Sequence, residues 1–259
     1  NNVADIQVNL VDKGKRSIQS HDIAKAMREP IQTIAKKFNA NIKLVEIPPG
    51  PPVLSTLVAE IYGPDYAQQT AIAEQIKNRF AKTVDVVDVD WYMEDDQPQF
   101  NVEVDKEKAM RYGVAPAQIV ATVNAALAGQ PVGNLHKPNS YNQENIVLRL
   151  ANEDKASMKD IQNLKVISQQ GAAVPLGDLV QIKQGIKEKS IYRKNQKRVV
   201  YVLADMAGKL ESPSYAISAI SDSLKNIQLP KGYTLNEDYT HQPENEDNFS
   251  LKWDGEWQI

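Results

Sequence analysis

The sequence predicts an α+β fold made of ferredoxin-like split βαβ units with a β-rich insertion. The spacing of apolar residues changes repeatedly between the alternation typical of strands and the wider spacing typical of helices. When residues 130–195 are set aside, the predicted elements follow the order β-α-β-β-α-β-α-β, which is close to the split βαβ arrangement. Residues 130–195 are polar and carry only short strand patterns, which indicates an insertion within one unit.

The first predicted module covers residues 1–49. Alternating apolar residues predict a strand over residues 6–10, and a second strand is predicted over Asn41–Ile47. Ser20 begins a helix, in which Pro30 should introduce a kink or a break. Apolar residues recur along this helix at Ile23, Met27, Ile31, Ile34 and Phe38. The proline- and glycine-rich residues 48–52 end the module.

The second module begins with a strand over Thr56–Tyr62. Asp65 and Gln68 have the spacing of a capping box, and they precede a helix with apolar residues at Ile72, Ala73, Ile76 and Phe80. A further strand is predicted over residues 84–91. Its alternation slips after Val86, which predicts a β-bulge.

The stretch Gln99–Gly129 predicts a strand followed by two helices. Residues 100–104 alternate as a strand, and Asp105 can cap a short helix that ends at Gly113. Pro116 suits the first turn of the second helix. The apolar face of that helix consists of Ile119, Val120, Val123 and Leu127.

The remaining elements lie in and beyond the insertion. Residues 146–150 alternate as a strand, and two further strand patterns flank a predicted hairpin tip at Gln169, Gln170, Gly171 and Ala172. A strand over Arg198–Met206, a helix from Ser212 and a strand over Tyr233–Asp238 complete the fold. Trp253 and Trp257 follow within the acidic and polar residues 240–259. We consider a membrane interface, packing on the domain or a disordered tail for them.

Composition excludes several functions. The chain has 259 residues, a net charge of −3 and no cysteine, so disulfides and thiol catalysis are excluded. The negative charge gives no reason to expect nucleic acid, and we assign the basic run at residues 183–198 to a solvated or docking surface. No apolar run approaches the ~20 residues needed to cross a bilayer. We find no leader pattern and expect no signal peptide.

The Gln99–Gly129 stretch resembles the porter region of resistance-nodulation-division (RND) efflux permeases, through its strand, short helix, Tyr112-Gly113-Val114 and helix ending in Ala128-Gly129. The resemblance extends over nearly the whole chain. It implies the second periplasmic loop of such a permease, without its first strand and helix. Residues 1–49 would be the remainder of the first porter subdomain. The split second porter subdomain would comprise residues 51–128 and 196–239, residues 130–195 the docking subdomain, and residues 240–259 a linker toward a transmembrane helix.

The resemblance also implies a cellular setting. The intact protein would be a homotrimeric, proton-driven antiporter in the inner membrane of a Gram-negative bacterium, with this portion in the periplasm. Its partners would be a periplasmic adaptor protein and an outer-membrane channel, one or the other of which would meet the hairpin tip at Gln169–Ala172. The residues that couple transport to protons would lie in membrane helices outside this sequence.

The resemblance places substrate in a cleft between the two porter subdomains. Small amphiphilic molecules are the expected cargo. The expected lining residues are Lys43, Val45, Ile47, Asp90, Trp91, Tyr92, Met93 and Leu203. Relatives that export bulky lipophilic drugs carry phenylalanines on the first of these strands, where this chain has Lys43 and Val45. An aromatic-lined pocket is therefore not expected, although Trp91 and Met93 offer apolar, polarizable surface.

Heavy-metal export is the first alternative. Soft metals need converging sulfur ligands, but the methionines are dispersed at Met27, Met93, Met110, Met158 and Met206. The histidines are equally dispersed, at His21, His136 and His241. No metal site or cofactor is predicted. A non-transporting periplasmic binding or scaffold module is the second alternative.

Enzymatic activity is not expected. Residues 92–96 are similar to the acidic hairpin of template-copying polymerases, but an extra glutamate breaks the spacing of that motif. No arrangement of nucleophile, base and oxyanion donors can be named, and the glycines form no phosphate-binding loop.

Overall fold

A computed structural model describes residues 3–46, 53–138, 141–155 and 157–258. Its helices are α1 (Ser20–Lys37), α2 (Tyr66–Phe80), α3 (Lys106–Arg111), α4 (Pro116–Leu127), α5 (Met158–Gln162) and α6 (Pro213–Leu224). Its strands are β1 (Leu57–Tyr62), β2 (Val86–Trp91), β3 (Pro98–Val104), β4 (Gln130–Leu135), β5 (Glu144–Leu148), β6 (Lys165–Ile167), β7 (Ala173–Pro175), β8 (Val180–Ile186), β9 (Arg193–Lys194), β10 (Lys197–Arg198), β11 (Val200–Met206), β12 (Leu235–Asp238) and β13 (Phe249–Gly255). Short 3-10 helices lie at Lys13–Lys15, Glu153–Lys155, Leu176–Asp178 and Glu256–Gln258.

The chain forms two compact units. Unit 1 combines the residues up to Asp95 with those from Lys189 onward, and unit 2 is Asp96–Glu188. This boundary differs from the predicted one, which placed residues 96–128 in the split second porter subdomain. The reason is strand pairing, because β3 pairs with β8 along its whole length and so belongs to unit 2.

Unit 1 contains a five-stranded sheet in the order β12-β13-β1-β11-β2. β11 lies antiparallel between β1 and β2, which α2 connects. β1 and β2 are therefore parallel and separated by one strand, which is the split βαβ arrangement. The predicted ferredoxin-like α+β fold is confirmed.

The main core of unit 1 lies between this sheet and the helices α2 and α6. Side chains from β1, β11 and β13 pack there against apolar residues of both helices. Trp253 of β13 is fully buried, and its ring stacks on Phe80 of α2 with 5.8 Å between ring centroids. Burial of two aromatic side chains of this size makes the contact a large contribution to stability.

The structure corrects the prediction for residues 240–259. These residues do not form a linker, because β13 pairs antiparallel with β1 from Ser250 to Gly255 and parallel with β12. Trp253 packs in the core of the domain, and Trp257 is partly exposed against Tyr239. Sheet pairing and burial of the tryptophan together hold this segment in unit 1.

The first predicted module is only partly confirmed. α1 begins at Ser20 as predicted, but it runs unbroken through Pro30. Residues 3–12 and 41–46 are not strands, because no strand of the described residues pairs with them. Ile34 of α1 is exposed, and so is Phe38, which follows the last residue of the helix. Alternation alone did not produce a strand where a pairing partner was missing.

The predicted bulge in β2 is present. The register against β11 shifts between Leu203 and Asp205, and Asp88 has a positive φ of 52°. The bulge therefore lies at Asp88, two residues beyond the predicted position. Asp88 and Asp90 consequently both contact residues of the 41–46 segment, on the side of the sheet away from the main core.

Unit 2 has its own core, formed by α3, α4 and α5 against the β3–β8 ribbon. The Asp105 carboxylate accepts a hydrogen bond from the Lys108 amide, and Gly113 has a φ of +64° beyond the end of α3. These features confirm the predicted cap and helix end. In α4, Ile119 is buried as predicted, but Val120 is half exposed.

Candidate functional site

A cavity of about 450 Å³ in unit 1 is the candidate functional site. It lies between α1 with residues 43–46 on one side and the ends of β1, β2 and β11 on the other. The cavity and its lining are called the cleft below. It contains three of the residues expected from the sequence, namely Lys43, Val45 and Leu203.

The other expected lining residues have different positions. Asp90 stands beside the cleft, where its carboxylate forms an ion pair with Lys43. Tyr92 packs against Tyr192 and Tyr201. Trp91 and Met93 pack on the core cluster of the opposite sheet face, and Lys77 lies over the Trp91 ring. Alternation of side chains along β2 explains this separation. Ile47 falls outside the described residues.

Charged side chains dominate the cleft. Five carboxylates line it, against three permanently positive side chains and one histidine. The carboxylates belong to Glu46, Asp88, Asp205, Glu211 and Glu256, and the positive charges to Lys25, Arg28 and Lys43. The carboxylates therefore outnumber the positive side chains of the cleft, whether His21 is neutral or protonated.

The 41–46 segment is attached to β2 through ion pairs and a hydrogen bond. The Leu44 amide donates to Asp88 Oδ2 over 3.0 Å, and the Arg28 guanidinium pairs with the same carboxylate. Lys43 pairs with Asp90. Each of the two β2 carboxylates therefore faces a cation supplied by α1 or by the segment that follows it.

His21 bridges two glutamates at the other side of the cleft. Its Nδ1 lies 2.7 Å from Glu46 Oε1, and its Nε2 lies 3.0 Å from Glu211 Oε1. The hydrogen bond to Glu211, followed by the one to Glu46, raises the pKa of His21 above 6.5. Glu211 also pairs with Lys25, and Lys25 and His21 together lower the pKa of Glu211 to about 2.

The loop that carries Glu211 is fixed by Asp85. Asp85 accepts hydrogen bonds from the amides of Ala207, Lys209 and Leu210 through its backbone and side-chain oxygens. Lys25 of α1 donates to the Gly208 carbonyl over 3.0 Å. This loop is thus the point at which α1 is joined to the end of β11.

Sequence reasoning missed His21, Lys25, Arg28 and Asp88 as cleft residues. His21 and Glu211 are 190 positions apart, so no local pattern could have paired them. The spacing of His21, Lys25 and Arg28 on one side of α1 was the available signal, since residues three and four apart share a helix face. Across the described ranges, no three His, Asp or Glu side chains are grouped as a metal ion would require.

The predicted docking tip is an exposed turn in unit 2. Gln169, Gln170, Gly171 and Ala172 connect β6 to β7, and the Gly171 amide donates to the Ser168 carbonyl. The Gln169 amide donates to the Gly113 carbonyl, which anchors the turn to the α3–α4 connection. No strand or helix of the described residues covers the tip.

We expect Gly171→Ala to destabilise unit 2 by about 1 kcal/mol, because Gly171 has a φ of +82° that alanine adopts only at a cost. An added Cβ would meet no atom, so backbone strain is the whole effect. Urea unfolding followed through the NMR signals of buried Ile161 and Leu176 measures it. Gly133→Ala, where φ is not positive, is the control and should change the free energy by less than about 0.5 kcal/mol. An equal loss in both variants would contradict the role of φ.

No helix of the described residues is both long enough and apolar enough to cross a membrane. A model of the AcrB/AcrD/AcrF family matches residues 1–252. The chain is similar to the nickel and cobalt resistance protein CnrA of Cupriavidus metallidurans, with 30% identity over 187 residues, 70% of this chain and 17% of the relative. It is also similar to an uncharacterized transporter of Haemophilus influenzae, with 24% identity over 231 residues, 88% of this chain and 22% of the relative.

The fold has a counterpart among solved structures. The crystal structure of a heavy metal efflux pump matches with a TM-score of 0.61 and 24% identity, over 79% of this chain and 19% of the pump. The chain thus spans about a fifth of the length of the proteins that it matches. The resemblance to RND permeases is confirmed. Since the family model extends over nearly all of its residues, the chain belongs to the AcrB/AcrD/AcrF family of RND transporters.

Proposed function

We propose that this chain is the periplasmic part of an RND efflux transporter whose cargo is a divalent metal cation. The carboxylate-rich cleft is the observation that carries the proposal. Among the described residues that line it there is no phenylalanine, tyrosine or tryptophan, so the cleft offers amphiphiles little aromatic surface. The names of CnrA and of the heavy metal efflux pump favour the same cargo class over the amphiphiles expected from the sequence.

Asp88 and Asp90 are the proposed cation-binding carboxylates. They stand two residues apart on β2, and each is paired with a positive side chain, from α1 for Asp88 and from the 41–46 segment for Asp90. An arriving cation would replace Arg28 or Lys43 as the counter-charge. Oxygen ligands suit cargo that must be released again, because conduction requires binding weak enough to allow exit.

The remaining features of the transporter are proposed from the family. The intact protein would be a proton-driven homotrimer in the inner membrane of a Gram-negative bacterium. A periplasmic adaptor protein and an outer-membrane channel are the proposed partners of the tip at Gln169–Ala172. The exposure of all four tip residues supports this assignment.

Titration of the ¹⁵N-labelled chain with Co²⁺ tests the proposed cargo, because this paramagnetic ion broadens the NMR signals of nearby amides. We expect saturable broadening of the amides of residues 43–46 and 86–92. Asp88→Asn and Asp90→Asn should each weaken Co²⁺ binding by about tenfold or more. Removal of a metal ligand, or of a residue that orients one, has an effect of this size. Glu103→Gln removes an exposed carboxylate of unit 2 and is the matched control.

Two results would contradict this assignment. Broadening that is unchanged in both aspartate variants would place the cation elsewhere. Saturable shifts of the same amides with a bile salt, together with no response to Co²⁺, would restore amphiphiles as the cargo class.

A further inference from the structure

The contacts of His21 form a distinct structure at the side of the cleft. We call His21, Lys25, Glu46 and Glu211 the clasp. His21 and Lys25 lie on α1, Glu46 follows α1 in the chain, and Glu211 lies in the loop after β11. The clasp therefore joins the α1 side of the cleft to the sheet side. Among the described residues, no hydrogen bond or ion pair joins the proposed cation-binding carboxylates Asp88 and Asp90 to the clasp.

The geometry of the clasp requires a particular protonation state of His21. A neutral imidazole has one N–H donor and one acceptor nitrogen, whereas an imidazolium has two donors. Both ring nitrogens of His21 face carboxylate oxygens, at 2.7 Å and 3.0 Å. A carboxylate can only accept, so the imidazolium alone satisfies both contacts. Loss of its proton would leave one carboxylate facing a lone pair.

The charges around His21 come from each side of the cleft. Lys25 lies one turn further along α1 and contacts Glu211. Glu46 and Lys43 belong to the segment after α1, and Glu211 belongs to the loop after β11. The other charged residues that line the same cavity are Arg28, Asp88, Asp205 and Glu256. The two carboxylates in direct contact with the ring favour its charged form.

We propose that the clasp is a pH-sensitive fastening of the cleft, which holds α1 more tightly against the 207–211 loop while His21 is protonated and loosens when the proton is lost, leaving the contacts of Lys25 in place. Histidine is the side chain whose ordinary pKa lies nearest neutral pH. The role of the clasp in regulating access to the cleft rests on the proposed function. Its titration does not depend on what the cleft binds.

The sign of the pH dependence follows from linkage. The contacts raise the pKa of His21 above its unfolded value of 6.5. The stability that they add is therefore fully present below pH 6.5, and it is lost as the pH rises through the higher folded value. Glu211, with a pKa of about 2, stays ionised throughout this range. The clasp is therefore tighter on the acid side and looser on the alkaline side.

Two NMR measurements on the whole chain, without any metal, test the proposal. The first is the titration of the His21 ring protons, for which we expect a pKa above 6.5. The second is hydrogen exchange at two backbone amides. The Gly208 amide donates to Glu211, and the Leu44 amide donates to Asp88. Amide exchange is itself catalysed by base, so the measured rates are first corrected for that effect. The protection factors of the two amides should then fall about threefold between pH 5.5 and a pH above the pKa of His21. A partly exposed ion pair makes a difference of this size.

His21→Gln removes the titrating group and should abolish the pH dependence of this protection. His241→Gln is the matched control, because His241 lies in unit 1 outside the clasp and should leave the dependence unchanged. If His21→Gln does not fold, Glu46→Gln serves instead and should lower the pKa of His21. A His21 pKa at or below 6.5, or a pH dependence that survives in His21→Gln, would overturn the proposal. A failure of Co²⁺ to bind would leave these results untouched.

Discussion

Trp253→Ala should destabilise unit 1 by about 3–5 kcal/mol, the range for removing a large aromatic side chain from a packed core. Trp253 is fully buried, its ring stacks on Phe80, and its indole N–H donates to Glu237 over 2.6 Å. The substitution removes the stacking contact, opens a cavity and leaves the Glu237 carboxylate without this donor. Together these losses would consume much of the stability of an ordinary domain.

Urea unfolding measured by far-UV circular dichroism and tryptophan fluorescence tests this prediction, since Trp91 and Trp257 remain as reporters in unit 1. Trp257→Ala is the matched control. The Trp257 side chain is partly exposed and contacts the edge of Tyr239, so its loss should cost about 1 kcal/mol. Equal effects of the two substitutions would contradict the assignment of β13 to the core.

Lys194→Met should destabilise unit 1 by about 2–3 kcal/mol, because it leaves a buried carboxylate without its positive partner. Glu60 of β1 is fully buried, and Lys194 pairs with both Glu60 and Asp254. We expect less than the full cost of breaking a buried pair, since 36% of the Lys194 side chain is exposed to solvent. Methionine keeps most of the apolar stem and isolates the effect of charge.

The pH dependence of this variant provides an independent check. Burial, followed by a hydrogen bond with Asp254, raises the pKa of Glu60. Acidification should therefore restore part of the lost stability, because protonation removes the unpaired charge. Tryptophan fluorescence during urea unfolding at pH 7 and pH 5 measures both effects. Lys183→Met, which breaks an exposed pair with Glu103, should cost less than about 0.5 kcal/mol at either pH. A loss that does not depend on pH would indicate a packing effect instead.

Local signals predicted local structure well. The Asp105 cap, the end of the short helix before Gly113 and the start of α4 at Pro116 all depend on a few neighbouring residues, and all are present. The bulge in β2 was also detectable, although its position shifted to Asp88. Such features follow from side-chain caps and backbone angles that the sequence encodes within one or two turns.

Pairing between distant strands was less predictable. Phe249, Leu251 and Trp253 alternate with polar residues, so the pattern of β13 was visible in the sequence. Its acidic surroundings and its position in the family resemblance suggested a linker instead. Residues 41–46 alternate as well, but no strand of the described part of the chain pairs with them. A strand forms only where another strand satisfies its backbone, and a single segment carries no record of its partner.

The candidate site depended on the same distant relationships. Lys43, Val45 and Leu203, which the family resemblance led us to expect beside a substrate cleft, line this cavity, and their role in binding stays a prediction. The ion pairs of the cleft join residues of α1 to β2 and to the loop after β11, far along the chain. Such pairs arise only after folding, and composition gave no indication of them.

The division of the chain has a consequence for its synthesis. Unit 2 is one continuous segment, whereas unit 1 is interrupted between β2 and β11, where Ser190 donates to Glu94 over 2.9 Å. A ribosome would therefore release the whole of Asp96–Glu188 before β11 and β13, the two neighbours of β1, have been made. Unit 2 can fold first, while β1 and β2 wait with unpaired edges. The nascent chain is most exposed to misassociation during that interval, which ends when β13 has been made and can pair with β1.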